Sequence, residues 1–132
     1  MPNVPAKERV RRTAVIELVL GICAEMVALG ENRDLHLVLM AIRLGNYQKR
    51  PMDVTGLAAA TSLPRTTVIR HIKALEELGR ITVVNTGRRA LPILIGTDRP
   101  LTKGFYKRLE QLVLQASANL SKMDTLPDRH KM

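Results

Sequence analysis

Arg65, Thr66, Thr67, Ile69, Arg70 and Lys73, followed by the adjacent pair Arg88 and Arg89, are the residues whose types and spacing could do chemistry. With a turn of about 100° per residue, a helix over 64–79 directs Val68, Ile72, Leu75 and Leu78 to one side. Thr66, Ile69, Arg70 and Lys73 fall on the other side, with Arg65 at the flank near the start. The chemistry of this second face is recognition of a duplex. An arginine fork, from Arg65 or Arg70, matches guanine O6 and N7, while Thr66 and Thr67 can donate to a phosphate or a base acceptor. Ile69, apolar on a polar face, either meets a thymine methyl group or packs on a neighbouring loop. Arg70 and Lys73 either contact DNA or form a solvated face. The acids Glu76 and Glu77 are kept to the far end, away from the turns that would approach phosphate.

Such a helix needs elements to present it. Asp53 or Thr55 can cap a short helix through Leu57, Ala58 and Ala59, whose small side chains allow a close crossing. Pro64 suits the first turn of the next helix, where its missing N–H has no partner to lose. Gly79 ends that helix, and the β-branched run Ile81 to Val84 reads as a strand. Asn85, Thr86 and Gly87 are expected to turn the chain, and Leu91 to Ile95 to return it, with Pro92 implying an edge position. Arg88 and Arg89 then lie at or just after the tip, either reaching the minor groove or phosphates, or guarding the sheet edges against aggregation. Upstream, Asp34 to Tyr47 forms a helix with Leu35, Val38, Leu39 and Ile42 on one face. Gly45 and Asn46 suit its end, and Pro51 marks that it has stopped.

The termini pose a different question. From Ala14 to Leu29 the sequence is helical in character and apolar on nearly every side, so it demands burial all round. Leu101 to Leu120 supplies the complementary helix, with Leu109, Leu112, Val113, Ala116 and Leu120 at helical spacing. Terminal helices that pack on each other and on their copies across a two-fold axis make an isologous homodimer; an ordinary monomeric helix pair is the plainer alternative.

Composition narrows the partner. The 132 residues carry 21 Lys and Arg against 12 Asp and Glu, a formal net charge of +9; a domain this basic usually meets a polyanion, nucleic acid or an anionic membrane surface, a solvated basic surface being the plainer alternative. Aromatic residues are confined to Tyr47, Phe105 and Tyr106, which disfavours stacking on single-stranded bases and favours duplex DNA. Lys7, Arg9, Arg11 and Arg12 ahead of the apolar run imitate a signal peptide. Glu17 and Glu25 interrupt that run, and neither a leader nor a membrane span is the better reading. The lone Cys23 reads as a small buried residue in a reducing cytoplasm. His36, His71 and His130 have no metal-ligand spacing. No phosphate-binding glycine loop or nucleophile motif occurs, so catalysis, metals and cofactors are not expected, nor is a membrane partner.

Thr61 to Ile81, TSLPRTTVIRHIKALEELGRI, resembles the helix-turn-helix of bacterial winged-helix transcription regulators, and its LPRTTVIRHI portion is similar to the IclR family. The whole layout is similar to the MarR family: a dimerising first helix, a second helix, the helix-turn-helix, an arginine-bearing wing, then Leu-Thr-Lys-Gly at 101–104 opening a closing helix. The tip Gly87-Arg88-Arg89 departs from the MarR Asp-x-Arg element, the Leu-Thr-x-x-Gly element is one residue short, and no large IclR effector domain follows.

The expected fold is therefore mainly α: a winged helix-turn-helix, three helices plus a two-stranded wing, over 34–96. It is flanked by dimerisation helices at 6–30 and 101–122, all within one domain of residues 1–132. The resemblance implies a cytoplasmic, sequence-specific regulator that binds double-stranded DNA as a homodimer on a palindrome, through Arg65, Thr66, Thr67, Ile69, Arg70, Lys73, Arg88 and Arg89. The competing reading is a winged helix used as a protein-interaction or assembly module. Neither the operator, the direction of regulation nor a small-molecule effector is specified by these residues.

Overall fold

The computed structural model describes residues 3–125, and His130 lies outside them. Five α-helices and one two-stranded antiparallel sheet follow one another: α1 (Ala6–Ala28), α2 (Arg33–Tyr47), α3 (Val54–Thr61), α4 (Arg65–Glu77), β1 (Ile81–Thr86), β2 (Arg89–Leu94) and α5 (Phe105–Thr125). They divide into two compact units, one containing α1 and α5, the other spanning Leu29–Leu101. Among the described residues no single helix is long and apolar enough to cross a membrane.

The central unit is built on the apolar faces of α2, α3 and α4. Val38, Leu39, Ile42, Leu57, Val68, Ile72, Leu75 and Ile81 form a continuous buried cluster, to which Leu35, Met52, Val54, Ala58 and Leu63 add partial cover. Removing the side chain of a fully buried member such as Leu75 costs about 2–5 kcal/mol, because the cavity adds to the lost transfer energy. Leu78 does not join the core stripe expected of it. Its side chain is 59% exposed, because α4 ends at Glu77 and Leu78 belongs to the turn that Gly79 completes at φ +72°.

The end of α2 is also built differently from the expectation. Gly45 and Asn46 lie within the helix, and the left-handed residue that reverses the chain is Lys49, at φ 60°. Gly45 is required for space: a Cβ there would stand 2.8 Å from the Arg50 carbonyl oxygen. Asn46 ties the helix to the wing. Its Nδ2 donates to the carbonyls of Ile42 (2.8 Å) and Pro92 (3.2 Å), and its Oδ1 accepts from Leu94 N–H (3.0 Å). One side-chain amide thus satisfies the outer edge of β2. Pro92 and Leu94 present their backbone nitrogens on the same side of the strand, so the position lacking an N–H faces away from β1, where no ladder bond is lost.

Arg43, buried on the same helix, holds the segment after the wing. Its Nε donates to Asp98 Oδ1 at 2.7 Å and its Nη2 to the Arg99 carbonyl at 3.0 Å. Tyr47 donates to the other Asp98 oxygen, and Arg80 donates to the Arg99 carbonyl. A buried guanidinium is tolerated only with such partners. Burial alone would raise the Asp98 pKa, but the Tyr47 and Arg43 hydrogen bonds and the nearby positive charges outweigh it and hold the carboxyl below its ordinary range.

In the terminal unit α1 packs along α5. Gly21 admits the Leu112 side chain, which would stand 2.8 Å from a Cβ, and Arg108 Nε donates to Glu25 at 2.9 Å. Arg11 likewise reaches Asp124 at 2.8 Å. The expectation that α1 must be buried all round is not met within the chain: Ala14 is its buried residue, while Ile16, Val19, Leu20 and Val27 are exposed, and so is Cys23, a residue expected to be buried. Val113 of α5 is exposed too, whereas Ala116 and Met123 are buried.

Candidate nucleic-acid interface

The site begins at the N-terminus of α3. Asp53 caps the helix, its Oδ1 accepting from Gly56 N–H at 2.9 Å, which satisfies one of the amides the first turn leaves open. Helix α3 ends at Ser62, left-handed at φ 59°, and Leu63 and Pro64 complete the turn into α4. Thr61 fastens this turn by donating to the Leu57 carbonyl at 2.7 Å and accepting from Leu63 N–H at 3.4 Å. Pro64 is the extended N-cap of α4 (φ −59°, ψ 147°), one position before the first helical residue expected for it. Its ring still fixes the angle at which α4 departs.

Helix α4 buries Val68, Ile72 and Leu75 and exposes Arg65, Thr66, Ile69, Arg70 and Lys73 on its outer side. Thr67 is half-buried between the two faces. Ile69 is 38% exposed, an apolar side chain standing among cations. His71 is partly buried, and its Nε2 has no hydrogen-bond partner. Burial, reinforced by Arg70 and opposed by Asp34, lowers its pKa and favours the neutral ring.

The wing is longer and its turn tighter than expected. Asn85 and Thr86 belong to β1, Thr86 pairs with Arg89, and only Gly87 and Arg88 form the turn. Gly87, at φ +62°, takes the first turn position, which in a two-residue hairpin demands a positive φ. This separates the two arginines by role: Arg88 stands at the exposed tip, while Arg89 Nε donates to Asp53 Oδ2 at 3.2 Å. From the other side Arg65 donates to the Thr55 hydroxyl. Arg65 and Arg89 therefore converge on the first turn of α3. The Gly56 amide is the principal cause of a lowered Asp53 pKa; burial opposes it, and the Arg89 hydrogen bond and the charges of Arg89 and Arg65 add to the lowering.

Thr55 and Asp53 were legible as caps but not as partners of the arginines. The missing signal is long-range, since Asp53 and Arg89 are 36 residues apart. The Arg89–Asp53 pair is solvent-exposed and worth at most about 1 kcal/mol, so a phosphate can compete for that guanidinium. Among the described residues no cluster of His, Cys, Asp and Glu is placed to hold a metal ion.

A three-helix core, a tight turn before the third helix, and a two-stranded wing together define a winged helix-turn-helix, and the class is that of DNA-binding transcription regulators. Residues 47–83 match the family described as bacterial regulatory protein, arsR family, a stretch inside the expected 34–96 core and well under half of the chain. The expectation of a bacterial winged-helix regulator is met, the arsR description falling on a stretch that contains the IclR-like helix-turn-helix, while the MarR likeness is one of whole-chain layout. None of the curated proteins matches the chain. Among solved structures, one described as "Mechanism for regulation of DNA binding of Bordetella bronchiseptica BpsR by 6-hydroxynicotinic acid" is similar, with a TM-score of 0.44 and 17% identity, covering 98% of this chain and 89% of that one.

Proposed function

We propose that this chain is a cytoplasmic, sequence-specific regulator that places α4 in the major groove of a palindromic operator as a homodimer. Its two recognition helices would then meet half-sites about one helical turn apart. The observation that carries the reading is the outer face of α4, where Arg65, Thr66, Ile69, Arg70 and Lys73 are exposed together and Glu76 and Glu77 follow only in the last turn. Arg65 and Arg70 are the base readers, Ile69 meets a thymine methyl, and Thr66, Thr67 and Lys73 hold the backbone. Arg88 reaches outward from the wing tip, and Arg89 exchanges Asp53 for a phosphate. The segments 6–30, 34–96 and 101–122 serve as one functional domain in this reading, the terminal helices joining the two copies.

The test is selection of genomic DNA by the purified protein, followed by titration of the selected duplex over a range of salt. A reader of DNA enriches a discrete palindrome, and log K falls with log salt at a slope of about −0.9 per phosphate contacted. A protein-interaction module would enrich no site, and that outcome would overturn the reading.

A further inference from the structure

The outward face of α1 has a pattern that α5 does not use. Thr13, Ile16, Leu20, Cys23 and Val27 recur at alternating intervals of three and four, the spacing of a heptad seam, and all are exposed. Leu20 is 63% and Val27 69% exposed. The residues turned to α5, Ala14, Gly21 and Glu25, lie on the opposite side of the helix. Flanked by the exposed Val15 and Val19, this apolar stripe is part of a contact surface, and its heptad spacing fits a second helix carrying the same spacing.

Charge placement sets the direction of that second helix. In this heptad Arg12 stands at a g position and Glu17, five residues on, at an e position. Parallel helices bring each g residue against the e residue five further along on the other strand, whereas antiparallel helices set g against g and e against e. Only the parallel arrangement unites Arg12 with Glu17. Arg12 now holds an exposed contact to Glu8 at 3.1 Å within its own helix, a weak pair that can be exchanged.

Resting on the homodimer reading above and going beyond it, we infer that α1 joins a second copy of this chain in a parallel, in-register seam, with Cys23 of the two copies face to face. The symmetry puts Ile16 on Ile16, Leu20 on Leu20 and Cys23 on Cys23, and forms two Arg12–Glu17 pairs. The paired thiols can then join under an azo oxidant such as diamide. Each sulfur gives up a proton and an electron, the S–S bond forms, and the N=N group takes both hydrogens to become a hydrazine. Two helices packed at 8–10 Å with facing side chains bring the cysteines within the reach such a bond requires.

The experiment uses the full chain, sedimentation to count subunits, and diamide at low protein concentration. The expected result is a dimer that becomes covalent on a non-reducing denaturing gel, reverts with dithiothreitol, and stays non-covalent in Cys23→Ser. In the Cys23→Ser background, Ile16→Cys must also cross-link to itself, since only a parallel in-register seam self-matches at both positions. Arg12→Glu and Glu17→Arg should each weaken dimerisation about fivefold at low salt, with the double exchange restoring it. A dimer in sedimentation that fails to cross-link at Cys23, or cross-links at one of the two positions only, overturns the seam and leaves the homodimer reading intact. A monomer at every concentration overturns both.

Discussion

Arg70 and Lys73 stand on the same exposed side of α4, yet their chemistry separates them. A planar guanidinium that reads a base edge contributes to sequence preference, whereas an ammonium on a phosphate contributes the same amount on every sequence. Arg70→Ala is therefore expected to cost about 1–3 kcal/mol on the selected operator and to relax preference at a single base pair, measured by titration on single-base variants. An equal loss on operator and random duplex would remove Arg70 from the base readers. Lys73→Ala should instead weaken all duplexes alike and flatten the salt slope by about one unit. Asp53 belongs to the same scale: it caps α3 and also holds Arg89, so its replacement would disturb both the helix end and the position of that guanidinium.

At the scale of the elements, α2 is the scaffold from which the wing is hung. Gly45 lets residues 50–52 pass against the helix, and Asn46 satisfies the edge of β2. Gly45→Ala forces a methyl group into the Arg50 carbonyl, a backbone atom with little freedom to move, and is expected to destabilise the protein by about 1–3 kcal/mol in denaturant unfolding. An unchanged unfolding midpoint would show that the 48–52 turn yields at little cost. Histidines link this packing to pH. His36 has a lowered pKa through burial and then the charge of Arg43, and His71 is lowered chiefly by burial. In the unfolded chain both take a proton near pH 6.5, while in the folded chain they do so only at lower pH. Stability from this source is complete above about pH 6.5 and declines as the pH falls below it. The urea midpoint should therefore drop between pH 7.5 and pH 5.5, and a flat profile would show that neither ring is held neutral.

At the scale of the whole molecule, the proposed assembly would be decided on α1. Leu18 is half-buried, whereas Leu20 is open to solvent, so Leu20 is the position at which a charge tests association without disturbing the helix pair. Leu20→Glu is expected to give soluble, folded monomers in sedimentation, whose stability in denaturant no longer rises with protein concentration as that of a dimer does. Monomers would also bind the palindrome far more weakly, because each half-site is then held alone. A soluble dimer of unchanged affinity would place the interface elsewhere.

What the sequence by itself determined is local and periodic. The spacing of Val68, Ile72 and Leu75 set the buried face of α4 and so its basic opposite, Asp53 or Thr55 announced a cap, and the β-branched run from Ile81 announced the first strand. These signals survive because they depend on neighbours three or four residues away, or alternate along one strand. The tertiary structure decided whatever depends on residues far apart in the chain. Arg43 reads as one more helix cation until Asp98, 55 residues later, encloses it. Gly45 reads as a helix end until the returning chain occupies its missing side chain. Arg88 and Arg89 read as equal until Asp53 takes one of them. Periodicity can say which face of a helix is apolar, but only the folded chain shows which apolar face its own core leaves uncovered. On α1 that is the stripe running from Ile16 to Val27.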